Sequence, residues 1–421
     1  MIKKIAVEQL QAGMFVHDFN HDWKDPCCQE HDPNGFRGSR LIHSDEDVQH
    51  IIKHGINTLY IDSSRGKDVE DAQTAQEVMA ALEAQMHALA DDDGEFSPLK
   101  VISFEEEIKQ AFAAKARARQ IVGNVLEDCR MGKQVVLAPV RDAVEQMAES
   151  LFRNPDAILS LSLIKKKDEY TFMHSVNVGV FLMSFCRAME MDADKIISIG
   201  IGGMLHDVGK MRTPDAILNK KGKLTPEEFE VIKQHVIHSK KILEDTSGID
   251  DISLKVAAQH HERFDGSGYP LGLKGDGIDF YGQMGAIVDV YDAITTDRCY
   301  HKANSPHFAL KRMLDWSKHH FSQELYQKFV HCIGIYPIGT LVRLKNGLLA
   351  VVIRPNKESL LHPVVRGIIN SKTKKKIPPT ELDLMSYKDK HQGGFTIVGS
   401  EPAEKWGVNP ARFLIKPQLA N

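Results

Sequence analysis

The 421-residue sequence has no run of about 18 consecutive apolar residues, so it offers no candidate for a membrane-spanning helix. Its first residues, MIKKIAVEQLQAG, turn polar too soon for a secretory signal. A soluble protein of the cytoplasm, with no membrane partner, is the expectation. Cysteine is scarce: Cys27, Cys28, Cys129, Cys186, Cys299 and Cys332 are scattered without a CxxC spacing. That excludes a zinc ribbon or a disulfide framework and points to reduced thiols. Excess charge is also missing, with 53 basic against 57 acidic residues and a net charge of −4. Nothing pulls the chain toward DNA or RNA in general, so any anionic ligand has to be held locally.

What is present divides into four regions. Residues 1–70 carry short β-like runs, MIKKIAV and NTLYID, around a polar loop, WKDPCCQEHDPNGFRG. Ser44-Asp45-Glu46-Asp47 adds a helix N-cap signature before VQHIIKHGI, and a small α+β domain is expected. Residues 71–150 read as helices, QEVMAALEAQMHALA and FEEEIKQAFAAKARARQIVGNVLEDCRM, broken by ADDDGEFSP. No catalytic residues concentrate there, and the segment is read as a helical spacer with an ordinary buried stripe, the alternative being a regulatory or homodimerising segment. Residues 151–335 continue in helical periods. Residues 336–421 change period: GTLVRLKNGLLAVVIRP sets two apolar runs around Asn346-Gly347, a two-residue hairpin signal, and HPVVRGII and FTIVG follow as strands. SKTKKKIPP reads as a solvated basic loop. The expected class is mainly α: an all-helical central domain between a small α+β domain and a C-terminal β-hairpin region.

The chemistry lies in the helical region. His174 (YTFMHSVNVGVF), His206-Asp207 (GGMLHDVGK), His235 (IKQHV), His260-His261 (AAQHHERFDGSGYP) and Asp289 (GAIVDVYDAITT) all sit in or beside apolar runs. One histidine on an apolar face is usually a satisfied core residue. Five imidazoles and two carboxylates are another matter, because burying each alone is costly and coordinating cations relieves the cost of all. Neutral imidazole with carboxylate and no thiolate suits Fe, Mn, Ni or catalytic Zn. Seven ligands exceed what one ion uses, whereas two ions sharing one carboxylate receive about four each and keep positions open for water and substrate.

His206-Asp207 together with HHERFDGSGYP resembles the HD-GYP family, a bacterial branch of the HD-domain phosphohydrolases. The motifs DEYTFMHSVNV, GGMLHDVGK, IKQHV, AAQHHERFDGSGYP and VDVYDAITTDRCY occur in order between about 155 and 335. The N-terminal pattern ending in GINTLYID is similar to a small domain of unknown function fused ahead of such modules. The resemblance implies an all-helical enzyme that cleaves the 3′-5′ bonds of cyclic di-GMP to pGpG and, in many members, to GMP. It implies that His174, His206, Asp207 and Asp289 hold one metal and that Asp207, His235, His260 and His261 hold the other, with Asp207 as the bridge. A third-ion carboxylate of some members is replaced here by Tyr170, which favours two metals. Arg298 matches a phosphate- or guanine-binding arginine, but His301 intervenes before the next basic residue, Lys302. That departure leaves 3′,3′-cyclic GMP-AMP as an alternative substrate. In the family the GYP loop is also implicated in contacts with diguanylate cyclase domains.

A phosphodiester resists attack because it is anionic and its leaving alkoxide is poor. Two cations about 3.5 to 4 Å apart neutralise charge and acidify a bridging water into a nucleophile. Lys210, three residues after Asp207, is placed to hold a phosphate oxygen or assist the departing one. Adjacent His260 and His261 cannot share one face of a helix, so they are expected at a helix end where both rings converge, with Glu262 orienting one of them. Asp265, Gly268, Tyr269 and Pro270 form a loop that passes close to the substrate, with Tyr269 packing on a base or on the loop itself. A one-metal HD nucleotide phosphohydrolase would not need His235, His260 and His261, and a degenerate cyclic dinucleotide sensor would have lost ligands.

Overall fold

The computed structural model describes residues 1–20, 38–53, 56–91, 102–163, 170–220, 224–296, 303–356, 358–387 and 394–414. The chain opens with β1 (Ile2–Ala6), β2 (Phe15–Asp18), β3 (Arg40–Leu41), α1 (Asp45–Lys53), β4 (Thr58–Asp62) and α2 (Ala75–Ala88). Then come α3 (Phe104–Arg130), α4 (Leu137–Arg153), α5 (Pro155–Leu163), α6 (Tyr170–Ala188), α7 (Ala193–Leu205) and α8 (Asp215–Leu218). These are followed by α9 (Pro226–Glu244), α10 (Asp251–Gln259), α11 (Phe280–Ile294), α12 (Pro306–Trp316) and α13 (Gln323–Ile333). The end of the chain holds β5 (Leu341–Leu344), β6 (Leu348–Arg354), β7 (Val364–Asn370), β8 (Lys375–Asp383), β9 (Ile397–Ser400) and α14 (Ala411–Leu414). The fold is mainly α, and no described helix is long and apolar enough to cross a membrane.

Two compact units form: Met1–Met86 with Thr213–Lys233, and His87–Arg212 with Gln234–Asn421. The first contains a sheet in the order β1-β4-β2-β3. Ile5 faces Leu59 across the antiparallel β1–β4 pair, and both point into a core with Val16, Phe19 and Ile51. The N-cap signature acts as read: Ser44 Oγ accepts the Asp47 N–H at 3.3 Å, and the Asp47 carboxylate accepts that of His43 at 2.8 Å. The polar loop with Cys27 and Cys28 lies outside the described residues.

In the second unit α3 starts at a capping box, with Ser103 and Glu106 each accepting the other's backbone N–H. Ile108, Ala111, Ala118, Val122 and Val125 give it a buried stripe at helical spacing. Helices α6 and α7 cross where side chains are absent: a Cβ on Gly203 would lie 2.8 Å from the Gly179 Cα. That approach draws His174 on α6 toward His206 at the end of α7.

The C-terminal sheet has the order β8-β7-β6-β5-β9. Asn346-Gly347 turns β5 into β6, with Gly347 at φ +92°. The segment expected as a basic loop is instead mostly strand: Lys375–Asp383 is β8, an edge strand along β7. Pro378 and Pro379 fall in the register shift between Gly367↔Thr380 and Ile369↔Lys376, where a missing N–H breaks no ladder bond.

Candidate metal centre

All seven histidines and aspartates singled out above are buried, and the second unit brings them together. His174 Nε2 is 3.0 Å from Asp289 Oδ1 and 3.8 Å from Asp207 Oδ2. His206 Nε2 is 3.1 Å from Asp207 Oδ2 and 3.8 Å from Asp289 Oδ1. The other oxygen of Asp207, Oδ1, faces His235 Nε2 at 3.5 Å and His260 Nε2 at 3.9 Å. His261 Nδ1 is 4.0 Å from Asp289 Oδ2. Ligand atoms of His174, His206 and Asp207 lie within 4.8 Å of one another, and so do those of His235, His260 and His261.

Local structure aims these rings. Helices α7 and α10 end just before His206 and His260, where the last carbonyls have no amide partner. His206 Nδ1 donates to Gly203 O at 2.7 Å, and His260 Nδ1 donates to Ala257 O at 3.0 Å. Since a carbonyl can only accept, the Nδ1 of each carries the proton and Nε2 presents a lone pair to the aspartates. His235 is placed by Gly209, whose backbone lies against α9 and whose N–H donates to Ser239 Oγ at 2.8 Å.

Among the described residues, His206 Nε2, His260 Nε2, Asp207 Oδ1 and both Asp289 oxygens have no hydrogen-bond partner. Each is an acceptor, and buried acceptors left unsatisfied cost about 1 to 3 kcal/mol apiece. Converging lone pairs of this kind are satisfied by cations, and imidazole nitrogen with carboxylate oxygen fits divalent transition metals. Burial drives His260 down to about 3 and His261 well below its ordinary value, which keeps both in the neutral, ligating form. Burial works to raise Asp207, but the Lys210 ammonium beside it helps hold its carboxyl well below the usual range. Lys210 sits on a 3₁₀ turn, Val208–Arg212, in which residues three apart eclipse, and its Nζ pairs with Asp207 Oδ2.

Residues 159–325 match the HD domain family, and residues 2–140 match DUF3391, a domain of unknown function. Over 408 residues the chain is 38% identical to a cyclic di-GMP phosphodiesterase of Pseudomonas aeruginosa, covering 96% of this chain and 94% of that protein. This chain belongs to the HD-domain phosphodiesterase family. It is also 34% identical over 194 residues to a cyclic di-GMP phosphodiesterase of Thermotoga maritima, covering 44% of this chain and 53% of that one. A 3′3′-cGAMP-specific phosphodiesterase of Vibrio cholerae is 35% identical over 144 residues, covering 34% of this chain and 33% of that one.

Within the HD domain the loop after His261 packs onto the histidines. The Tyr269 ring stacks on His261 with centroids 4.8 Å apart and planes 26° apart, so Tyr269 packs within the site's own wall. Its N–H donates to His261 O at 3.1 Å, and a cis peptide bond joins it to Pro270. Asp265 turns the loop by accepting the Ser267 N–H at 2.8 Å. Gly268 lies so close to the preceding turn that a Cβ would be 2.3 Å from Arg263 N. Glu262 does not orient a histidine as expected. Its carboxylate accepts the Leu271 N–H at 2.8 Å and the Leu273 N–H at 2.9 Å, because the returning loop brings those amides to it.

Arg298 and Lys302 lie outside the described residues, as do His301 and the side chain of Tyr170. One residue of consequence was missed from the sequence. Asp292, three residues after Asp289 on α11, accepts from His174 Nδ1 at 2.8 Å through Oδ2. Its signal was available in VDVYDAI, where two acids three apart share a helix face.

Proposed function

We propose that this chain hydrolyses cyclic di-GMP at a 3′-5′ phosphodiester bond to linear pGpG, with GMP the product if the second bond is also cut, at a dinuclear centre of divalent transition metals, iron or manganese before nickel or zinc. The observation that carries this is the division of Asp207, with Oδ2 toward His174 and His206 and Oδ1 toward His235 and His260. His174, His206, Asp207 and Asp289 would hold one ion, and Asp207, His235, His260 and His261 the other. Ions held there supply charge neutralisation and a nucleophile at neutral pH.

The chain's own groups do the rest. The Nδ1 anchors of His206 and His260 keep both Nε2 atoms aimed inward before any ligand arrives. Lys210 brings a buried ammonium beside Asp207, to hold a phosphate oxygen and stabilise charge on the departing one. Tyr269 braces His261. Arg298 is assigned to a phosphate or guanine by the motif it matches, and Lys302 is the next basic residue, one place beyond the family's second basic position because His301 intervenes.

Cyclic di-GMP is preferred because the relative that covers 96% of this chain, both domains included, carries that name, whereas the cGAMP-specific relative covers 34%. His301, set between Tyr300 and Lys302, keeps 3′,3′-cyclic GMP-AMP as the second reading. The deciding experiment supplies both dinucleotides to purified protein with Mn(II) or, anaerobically, Fe(II), and separates products by chromatography. Linearised cyclic di-GMP and two metal ions per chain are expected. Faster turnover of cyclic GMP-AMP would reassign the substrate, and binding without turnover by metal-replete protein would make the chain a sensor.

A further inference from the structure

A line of buried hydrogen bonds crosses the boundary at which the HD domain match begins. Lys115 lies midway along α3, inside the DUF3391 match (2–140) and outside the HD match (159–325). It is 4% exposed and sits in the helix's buried stripe with Ala111, Ala114 and Ala118. An apolar side chain would serve the packing of that stripe without the cost of burying an ammonium. Its Nζ donates to Asn177 Oδ1 at 2.8 Å and to Ser162 Oγ at 2.9 Å. Asn177 stands one turn beyond His174 on α6, and its Nδ2 donates to Asp292 Oδ1 at 3.2 Å. The other oxygen of Asp292 accepts from His174 Nδ1 at 2.8 Å.

The polarity of this line runs one way. An ammonium only donates, so Asn177 must turn Oδ1 to Lys115 and its amide N–H to Asp292. A carboxylate only accepts, so His174 must carry a proton on Nδ1, and Nε2, which faces Asp207 and Asp289, is the ring atom left to ligate a cation. Without the ammonium, Asn177 Oδ1 loses that buried donor, and the amide that donates to Asp292 is no longer anchored at its other end. We propose that Lys115 is a positioning residue for His174, acting through Asn177 and Asp292, so that a helix from outside the HD match steadies the aim of a metal ligand whose tautomer Asp292 sets. This rests on the reading of His174 as a ligand.

The test titrates full-length, metal-free protein with Mn(II) by calorimetry, with circular dichroism confirming the fold. Wild type should take up two ions. Lys115→Met, which keeps length and apolar packing, should weaken one of the two sites about 10- to 100-fold and spare the other, the range typical of partners behind a ligating histidine. Asp292→Asn should weaken the same site, and the double variant should be no worse than Asp292→Asn alone. Ser162→Ala, which leaves the line through Asn177 intact, should bind like wild type. Wild-type affinity at both sites in Lys115→Met, or additive losses in the double variant, overturns the proposal. If Lys115→Met does not fold, Asn177→Leu carries the same expectation and the same refutation. Wild type that binds no Mn(II) at all would instead remove the reading of His174 as a ligand.

Discussion

Gly209 rests directly on the backbone of His235: a Cβ at Gly209 would fall 2.0 Å from the His235 carbonyl oxygen and 2.3 Å from Ser239 N. Main chain meets main chain there, and the contact sets His235 Nε2 3.5 Å from Asp207 Oδ1. Gly209→Ala must therefore push α9 away. Metal-free protein should lose about 1 to 3 kcal/mol in urea unfolding, and uptake of the ion assigned to His235 should weaken with it. Full metal uptake with unchanged stability would show that the contact is not needed.

Asp207 offers one oxygen to each group of histidines, so its loss should affect both ions. Asp207→Ala is expected to lower turnover by at least about 10³-fold and to reduce metal content below two per chain. The variant also leaves the Lys210 ammonium buried without its carboxylate, so folding is checked by circular dichroism first. Near-normal turnover in folded protein would refute the site.

Removing metal should cost stability. Ions that bind only the folded chain stabilise it by RT ln(1 + [L]/Kd), about 2.7 kcal/mol at one hundred times Kd. The thermal midpoint should rise when Mn(II) is added to chelator-treated protein, and the rise should vanish in a His206→Ala, His260→Ala double variant. An equal rise in that variant would place the metal elsewhere.

Glu262 ties the Tyr269 loop down through the N–H groups of Leu271 and Leu273. In Glu262→Ala those amides lose their acceptor, and trypsin should cut faster at Arg263 and Lys274. KM should rise more than kcat falls if, as proposed, the loop borders the bound substrate. An unchanged digestion rate would mean that the loop is held by other contacts.

Away from the centre, Glu401 accepts from Arg343 Nη2 at 2.6 Å and from the Trp406 indole at 3.1 Å. Burial works to raise its carboxyl, but Trp406 and Arg343 outweigh this and hold it below its ordinary 4.5. A depressed folded value means that the carboxylate stabilises the fold above about pH 4.5 and that this stabilisation is lost as pH falls through the lower folded value. Unfolding followed by tryptophan fluorescence should show the loss as pH falls below about 4.5, and Glu401→Gln should flatten it. An identical pH slope in the variant would count against the pairing.

The buried cluster was legible because imidazoles and carboxylates placed inside apolar runs are too costly to bury one at a time. Asn346-Gly347 and Ser44 through Asp47 were legible for a different reason, since turns and caps act within a few residues. Lys375–Asp383 was misread because its charge resembles a solvated loop, while its strand pairing depends on a free edge of β7 that no local pattern announces. Glu262 was assigned the wrong partner because the amides it binds are brought back by a loop.

By itself, then, the sequence determined which polar groups lie within apolar runs, their order along the chain and the helical or strand character of most segments, all properties of neighbouring residues. Only the tertiary structure decided which oxygen of Asp207 faces which histidines, that Asp292 backs His174, and that Lys115 reaches Asn177. Those contacts join residues 118 and 62 positions apart, and side chains so distant share a site only after close helix crossings have fixed where each one points.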